Sequence, residues 1–297
     1  MNLSNYYSIF YILILLSIYS CEDVIDVQLQ DADSEIVIDA WISDEPKEQV
    51  ITLSLSQIYF NADFVDKIVD AEVKVIHENG QVYDFIHQQD GQYVYDAITN
   101  GSINRTGSDF TLSVTWDGMN YSALTAQNRV PAVDSIGFEL RENELIGPDG
   151  IYAQFFARDF VGHGDAYWIK TYKNGVFRNG PREMNIAYDA AFDAGTGVDG
   201  IIFIPPVREL VNPVSEDFET IPWLEEETMR VEIHSISTTA FQFLEIARDQ
   251  MINGDNGIFA IPLANTRSNI KNTTTGQRAL GFFNVASVSA LEKAVSL

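Results

Sequence analysis

The chain has one cysteine, Cys21, in 297 residues. A disulfide needs two thiols, so the fold has to rest on its hydrophobic core. Cations are also scarce. Eighteen Lys and Arg stand against 43 Asp and Glu, for a net charge of −25. Nucleic acid backbones are held by Lys and Arg, so this balance argues against nucleic acid as a partner. It equally argues against electrostatic docking on anionic headgroups. Histidine is sparse too, and His77, His87, His163 and His234 fall at no metal-ligand spacing. Without His-x-x-x-His or Cys-x-x-Cys, no zinc centre is expected. No Gly-x-Ser-x-Gly elbow and no P-loop is present. The sequence therefore assigns no catalytic residue, no metal and no cofactor.

Long apolar runs are missing except at the start. Residues 6–20 form an apolar segment that ends in Ser20 and is followed by Cys21, Glu22 and Asp23. It is about 15 residues long, short of the roughly 20 that span a bilayer as a helix. A short apolar core ending in small residues reads as a signal peptide over residues 1–20. A cysteine directly after it reads as the lipidated residue of a bacterial lipoprotein, with Ile18 three before it and Tyr19 in a position usually held by a smaller residue. An uncleaved anchor and an ordinary secretory leader are the alternatives. Residues 21–34 are acidic, lack turn residues, and read as a tether to the first strand.

The next segment alternates with a period of two. Ile51, Leu53 and Leu55 face one way, and Thr52, Ser54 and Ser56 the other. Phe110, Leu112, Val114 and Trp116 alternate with Thr111, Ser113 and Thr115 in the same manner. That period marks half-buried strands. With Ile36–Ile42, 71–75, 91–95 and the return after Asp117-Gly118, it predicts about seven short strands before residue 130. Asn79-Gly80 is a hairpin signal between two of them. The expected fold class is mainly β: an immunoglobulin-like β-sandwich over 35–130, then a second β-rich domain over 131–297, sandwich-like or barrel-like.

Val130–Asp134 reads as the linker. Strands are expected at 151–156, 166–172, 201–204 and 229–236, with loops at 181–200 and 205–227. One helix is expected near 240–252. Thr239 is its cap, Gln242 completes a capping box, and Ala240, Phe243, Leu244, Ala247 and Met251 lie on one face.

Several residues carry two readings. Trp41, Trp116 and Trp168 sit in strand patterns and are expected in the core. Trp223 lies in Ile221-Pro222-Trp223-Leu224 between acidic runs. It is either a partner-contact residue at an exposed loop tip or a loop residue tucked onto the core. His77 and His87 are candidate cross-strand neighbours. Asp193–Gly200 mixes acids with glycines but lacks the ligand ladder of a calcium loop. Glu216–Glu219 and Glu225–Glu227 read as solvated charge.

The chain also resembles the Bacteroidetes lipoprotein family called domain of unknown function 4249. Cys21, Ile36–Ile42, Asp70–Val75 with Asn79-Gly80, and Gly91-Gln92-Tyr93 carry the likeness near the N-terminus. Val231–Ser237, Phe241–Leu244, Ser268-Asn269-Ile270 and Gly281-Phe282-Phe283 carry it near the C-terminus. The resemblance implies a lipid-anchored protein of the outer membrane, exposed at the cell surface and often paired with a TonB-dependent receptor. It implies an accessory role in nutrient binding or uptake, and no catalytic residues. A structural or adhesive surface protein is the alternative, with a surface hydrolase behind it.

The anchor is directly testable. Replacing Cys21 with Ser should abolish acylation and move the protein from the membrane fraction to the soluble fraction. A Cys21→Ser variant that stays in the membrane pellet identifies an uncleaved apolar anchor instead.

Overall fold

The computed structural model describes residues 34–57, 65–142, 147–193, 197–215, 219–254 and 266–297. The leader, Cys21 and the tether to residue 33 lie outside the described residues. Residues Ser34–Leu297 form one compact unit. Its fold is mainly β with one long packed helix. Among the described residues no helix is long and apolar enough to cross a membrane.

The period-two segments form the expected strands: β1 (Ile36–Ser43), β2 (Glu48–Leu55), β3 (Glu72–His77), β4 (Val82–Gln89) and β5 (Gln92–Asp96). A one-turn helix, α1 (Ala97–Asn100), precedes β6 (Asp109–Trp116) and β7 (Met119–Ala126). Asp96 caps α1, accepting from the backbone N–H groups of Ile98 and Thr99. In β6, Phe110, Leu112 and Val114 are buried while Thr111, Ser113 and Thr115 are only partly covered.

These strands join β14 (Lys271–Asn272) and β15 (Leu280–Ala286) in one nine-stranded sheet. Its order is β14-β7-β6-β3-β4-β5-β2-β1-β15. The first core thus includes Ile270, Ala279, Phe283 and Val285 from the far end of the chain, and its residues are not confined to 35–130. β15 runs parallel to β1, with Ile38 opposite Gly281 and Ala40 opposite Phe283.

The two edges of this curled sheet meet across residues 268–272. β14 pairs with β7. Asn269 pairs with β15 through its side chain: Oδ1 accepts from the Phe283 N–H at 3.0 Å, and Nδ2 donates to the Phe283 carbonyl at 2.8 Å. An amide side chain here does the work of a neighbouring strand and leaves less edge open. Gly281 has φ +89, and a Cβ there would lie 2.0 Å from the Ile38 carbonyl oxygen. Gly91 is held alike, with φ +72 and 2.3 Å from its Cβ to the Leu53 carbonyl oxygen. The Tyr93 hydroxyl accepts from Ala71 N at 2.9 Å and donates to the Ile68 carbonyl at 3.1 Å. Gly91, Tyr93, Asn269 and Gly281, which stand in the short motifs that carry the family resemblance, are thus packing devices.

The second half builds β8 (Val133–Arg141), β9 (Gly150–Ala157), β10 (Ala166–Lys173), β11 (Val176–Arg178), β12 (Asn185–Tyr188), β13 (Thr228–Ile236) and β16 (Val288–Ala294). A 3₁₀ turn (Pro181–Glu183) and α2 (Pro205–Glu209) interrupt them. β11-β10-β13-β16 form a sheet that β12 joins at β10, and β8 and β9 form a hairpin. Four expectations change, the first being that α2 falls inside the expected loop at 205–227. The linker at 130–134 runs straight into β8. The loop at 181–200 contains β12, whose four residues bury Asn185, Ile186 and Ala187, a run too short to show a period. Residues 201–204 make only an isolated bridge, between Ile202 and Arg158.

The long helix, α3 (Thr238–Gly254), starts two residues earlier than expected. Ser237 caps it: its Oγ accepts from Ala240 N at 3.1 Å, and its carbonyl accepts from Phe241 N. Thr239 therefore lies inside the helix. The covered stripe is Ala240, Phe241 and Leu244, rotated from the expected face because Met251 is exposed.

Both seam residues yield a stability prediction. Gly281→Ala should cost about 3 kcal/mol or more, through backbone overlap and a positive φ. Asn269→Leu should cost about 2–4 kcal/mol, since it orphans both backbone groups of Phe283. Urea unfolding measures both. A loss below ~1 kcal/mol at Gly281 would contradict the close packing.

Candidate functional site

Strand alternation on β10 and β13 builds a buried cluster of charged groups. Tyr167, Ile169, Val231 and Ile233 turn into the second core. Trp168, Lys170 and Tyr172 of β10, and Arg230, Glu232 and His234 of β13, alternate with them and share the other face. The register sets Trp168 opposite His234, Lys170 opposite Glu232, and Tyr172 opposite Arg230. This face looks toward the first sheet. Trp41 of β1 meets Trp168 edge-on at 5.3 Å and stacks on Phe282 of β15 at 5.4 Å. Trp41 and Trp168 are thus half-buried between the sheets rather than inside either core. Trp116 is also half-buried, and its Nε1 donates to Asp70 at 3.1 Å.

Glu232 is the hub, with its side chain 4% exposed. Its Oε1 accepts from Arg230 Nε at 2.8 Å. Its Oε2 accepts from the Tyr172 hydroxyl at 3.1 Å and from His234 Nε2 at 2.9 Å. A carboxylate only accepts, so His234 carries its proton on Nε2. Arg230 also reaches Glu45 in the β1–β2 turn at 3.4 Å, and Glu45 holds Lys47 at 2.5 Å.

Burial pushes the Glu232 carboxyl up, but the bonds from His234 and Arg230 outweigh it and hold it at about 2. Burial, then the nearby Lys170 charge, pushes His234 down to about 4. Burial likewise pushes Lys170 down to about 8. The Lys170 ammonium lies 4.1 Å from the centre of the Trp168 ring and 5.7 Å from that of Phe177. At neutral pH the hub is therefore an anion bonded to a neutral imidazole, a phenol and a guanidinium.

Glu45, Glu232 and His234 place ligand atoms within 4.8 Å of one another. The donor set suits a divalent ion, but Arg230 already bridges both carboxylates and His234 points its N–H at Glu232. A metal would have to displace the guanidinium and take the imidazole in its other tautomer. The cluster is a cation site already filled by the protein's own arginine. As an acid–base device it is equally committed, because Glu232 is a very weak base and His234 is held neutral. Lys170, pushed down to about 8, is the group of the cluster whose charge changes near that pH.

Other candidates fall elsewhere. The structure corrects the contact reading of Trp223. It is 1% exposed, donates from Nε1 to Asn212 Oδ1 at 3.1 Å, and anchors the second core. Its neighbours Ile221 and Leu224 take the exposed positions. His77 and His87 are not neighbours: His77 packs on Phe110 at 5.0 Å and His87 on Tyr93 at 5.3 Å. His163 Nδ1 lies 3.2 Å from Asp189, whose other oxygen accepts from Gly164 and Asp165 N–H groups. Asp199 accepts from Gly162 N at 3.0 Å, so that carboxylate organises a loop. Gly195-Thr196-Gly197-Val198-Asp199-Gly200 also spells Gly-x-Gly-x-x-Gly. The described part leads to no helix before Pro205, which is not the strand–turn–helix setting of a dinucleotide site. Glu225 and Glu226 are exposed, whereas Glu227 pairs with Lys173 at 2.8 Å.

The hub was hard to see in the sequence. Arg230-Val231-Glu232-Ile233-His234 alternates charge with apolar residues, yet a partner strand has to be known before Lys170 and Tyr172 join it.

The model of one protein family, described as a domain of unknown function (DUF4249), matches residues 22–292. The chain belongs to that family. No curated protein matches it. The family's matched span takes in the hub, the seam at Asn269 and Gly281, and the strand β1.

The hub makes stability fall in acid. His234 keeps its proton off in the fold down to about 4, against 6.5 unfolded, so stability drops as pH falls from 6.5 to about 4. Glu232 extends the loss as pH falls from 4.5 to about 2. His234→Gln should flatten the upper window, and Glu232→Gln should cost about 3–5 kcal/mol at pH 7 by leaving Arg230 without its buried partner. Denaturant titrations across the two windows check both. An unchanged slope in His234→Gln would remove this histidine from the acid response.

Proposed function

We propose that the chain is an outer-membrane lipoprotein, lipid-anchored through Cys21 at the cell surface, and an accessory to a TonB-dependent receptor in nutrient binding or uptake. One observation carries the proposal. The only cysteine stands at the end of the only long apolar run, and an acidic segment leads from it to a body that begins at Ser34. A single acyl chain holds a protein at a membrane only marginally, so multiple acylation of Cys21 would supply the anchor.

Two further features support a binding role over a reacting one. The buried cluster of ionisable groups around Glu232 is bonded to itself. The body is also tied together at both sheets, a rigid scaffold on which loops can present a ligand site.

Affinity purification from detergent-solubilised outer membrane tests the partner. A TonB-dependent receptor should co-purify with the tagged chain under mild conditions. Recovery of the chain alone from membranes that contain the receptor would favour the structural or adhesive role.

A further inference from the structure

In a chain with more than twice as many acids as bases, one cavity is lined by cations. It measures about 360 Å³ and lies between α3 and residues 267–278. Arg267, Lys271 and Arg278 form one wall, and Gln242, Phe243 and Ile246 of α3 form the other. The three helix residues fall at i, i+1 and i+4, so they line one side of it. Phe243 is fixed from behind by Phe282 at 4.9 Å and Trp41 at 6.2 Å. The apolar wall is therefore preformed.

The three cations are exposed to solvent, and two of them are neighbours. Lys271 and Arg278 face each other as an antiparallel bridge. Like charges directly opposite on paired strands repel. The pairing is held in place regardless: Asn272 Oδ1 accepts from Thr274 and Thr275 N–H groups, and Asn272 N donates to the Gln277 carbonyl at 2.8 Å. Arg278 Nη1 donates to the Ser268 carbonyl at 2.7 Å, which aims the guanidinium. None of the three forms an ion pair with a described residue. Elsewhere the chain pairs its cations readily, as at Arg129–Asp165, Arg178–Glu183 and Lys173–Glu227.

We propose that this cavity binds a small organic anion, with its negative groups on Arg267, Lys271 and Arg278 and its apolar body on Phe243 and Ile246. The volume suits a small molecule. An anion between Lys271 and Arg278 turns their repulsion into two attractions, and the half-exposed aromatic wall supplies the apolar contact. The assignment deepens the proposed role in nutrient binding by naming the chemical class of the ligand. It rests on that role only for its biological meaning.

Calorimetry on the purified full chain in non-ionic detergent, without any receptor, tests it. The probes are a naphthalene disulfonate and the matching naphthalene diol, which share a ring system and differ in charge. The disulfonate should bind with an affinity that falls as salt is added, and the diol at least about tenfold more weakly. Lys271→Glu should weaken disulfonate binding at least about tenfold. It should also raise the thermal midpoint of the unliganded protein, because the new carboxylate faces Arg278. Equal binding of both probes, no binding of the disulfonate, or an unaltered affinity in a folded Lys271→Glu protein overturns the proposal. The receptor plays no part in these readouts, so a failed co-purification and a failed titration are separate results.

Discussion

The parallel pairing of β15 with β1 brings the last part of the described chain beside its first strand. Gly281 makes the approach possible, since any Cβ there would collide with the Ile38 carbonyl. From β15 the chain passes through Ser287 alone into β16 of the second sheet. That single residue is buried and pinned: its N–H donates to Ser235 Oγ at 2.9 Å, and its carbonyl accepts from Ser235 N at 3.0 Å. Asn284 adds a bond to the Ser235 carbonyl and another from Ser237 N. One strand thus contributes Phe283 and Val285 to the first core, turns Phe282 toward α3, and sets the distance between the sheets.

The space left between the sheets is filled in two ways. Trp41, Trp168, Phe282 and Phe243 close one part with aromatic contact, worth about 0.5–1.5 kcal/mol per good pair beyond simple burial. The Glu232 hub closes the other with charge. A buried carboxylate is tolerable only when its bonds replace water, and here a guanidinium, an imidazole and a phenol do so. The same completeness explains why the hub holds no free position for a substrate or a metal. The cavity beside α3 has the opposite character, with cations that form no ion pair with a described residue.

Much of the first sheet was legible because its strands are half-buried. Thr111, Ser113 and Thr115 between Phe110, Leu112 and Val114 announce both the strand and its inner face. β12 gave no such signal, because Asn185-Ile186-Ala187 is buried throughout. β15 escaped for the same reason: Phe282 to Ala286 are buried on both faces, so no period survives. Its place beside β1 depends on a pairing across almost the whole chain, which local pattern cannot encode. The cap of α3 moved from Thr239 to Ser237 because three hydroxyl-bearing residues in a row all satisfy the cap rule. Trp223 shows the limit of flanking charge as a guide to exposure, since its acidic neighbours turn outward while the indole turns in.

The β1–β15 pairing also orders events in time. Contacts between residues far apart in sequence form late and slow the search for the native state. As the chain emerges from the ribosome, β1 and β2 appear first, yet the outer edge of β1 has no partner until residues 280–286 arrive. Throughout that interval β1 presents open backbone groups and an uncovered Trp41, the surface a holding chaperone recognises. A chain built this way closes its first sheet only after its last strands have been made.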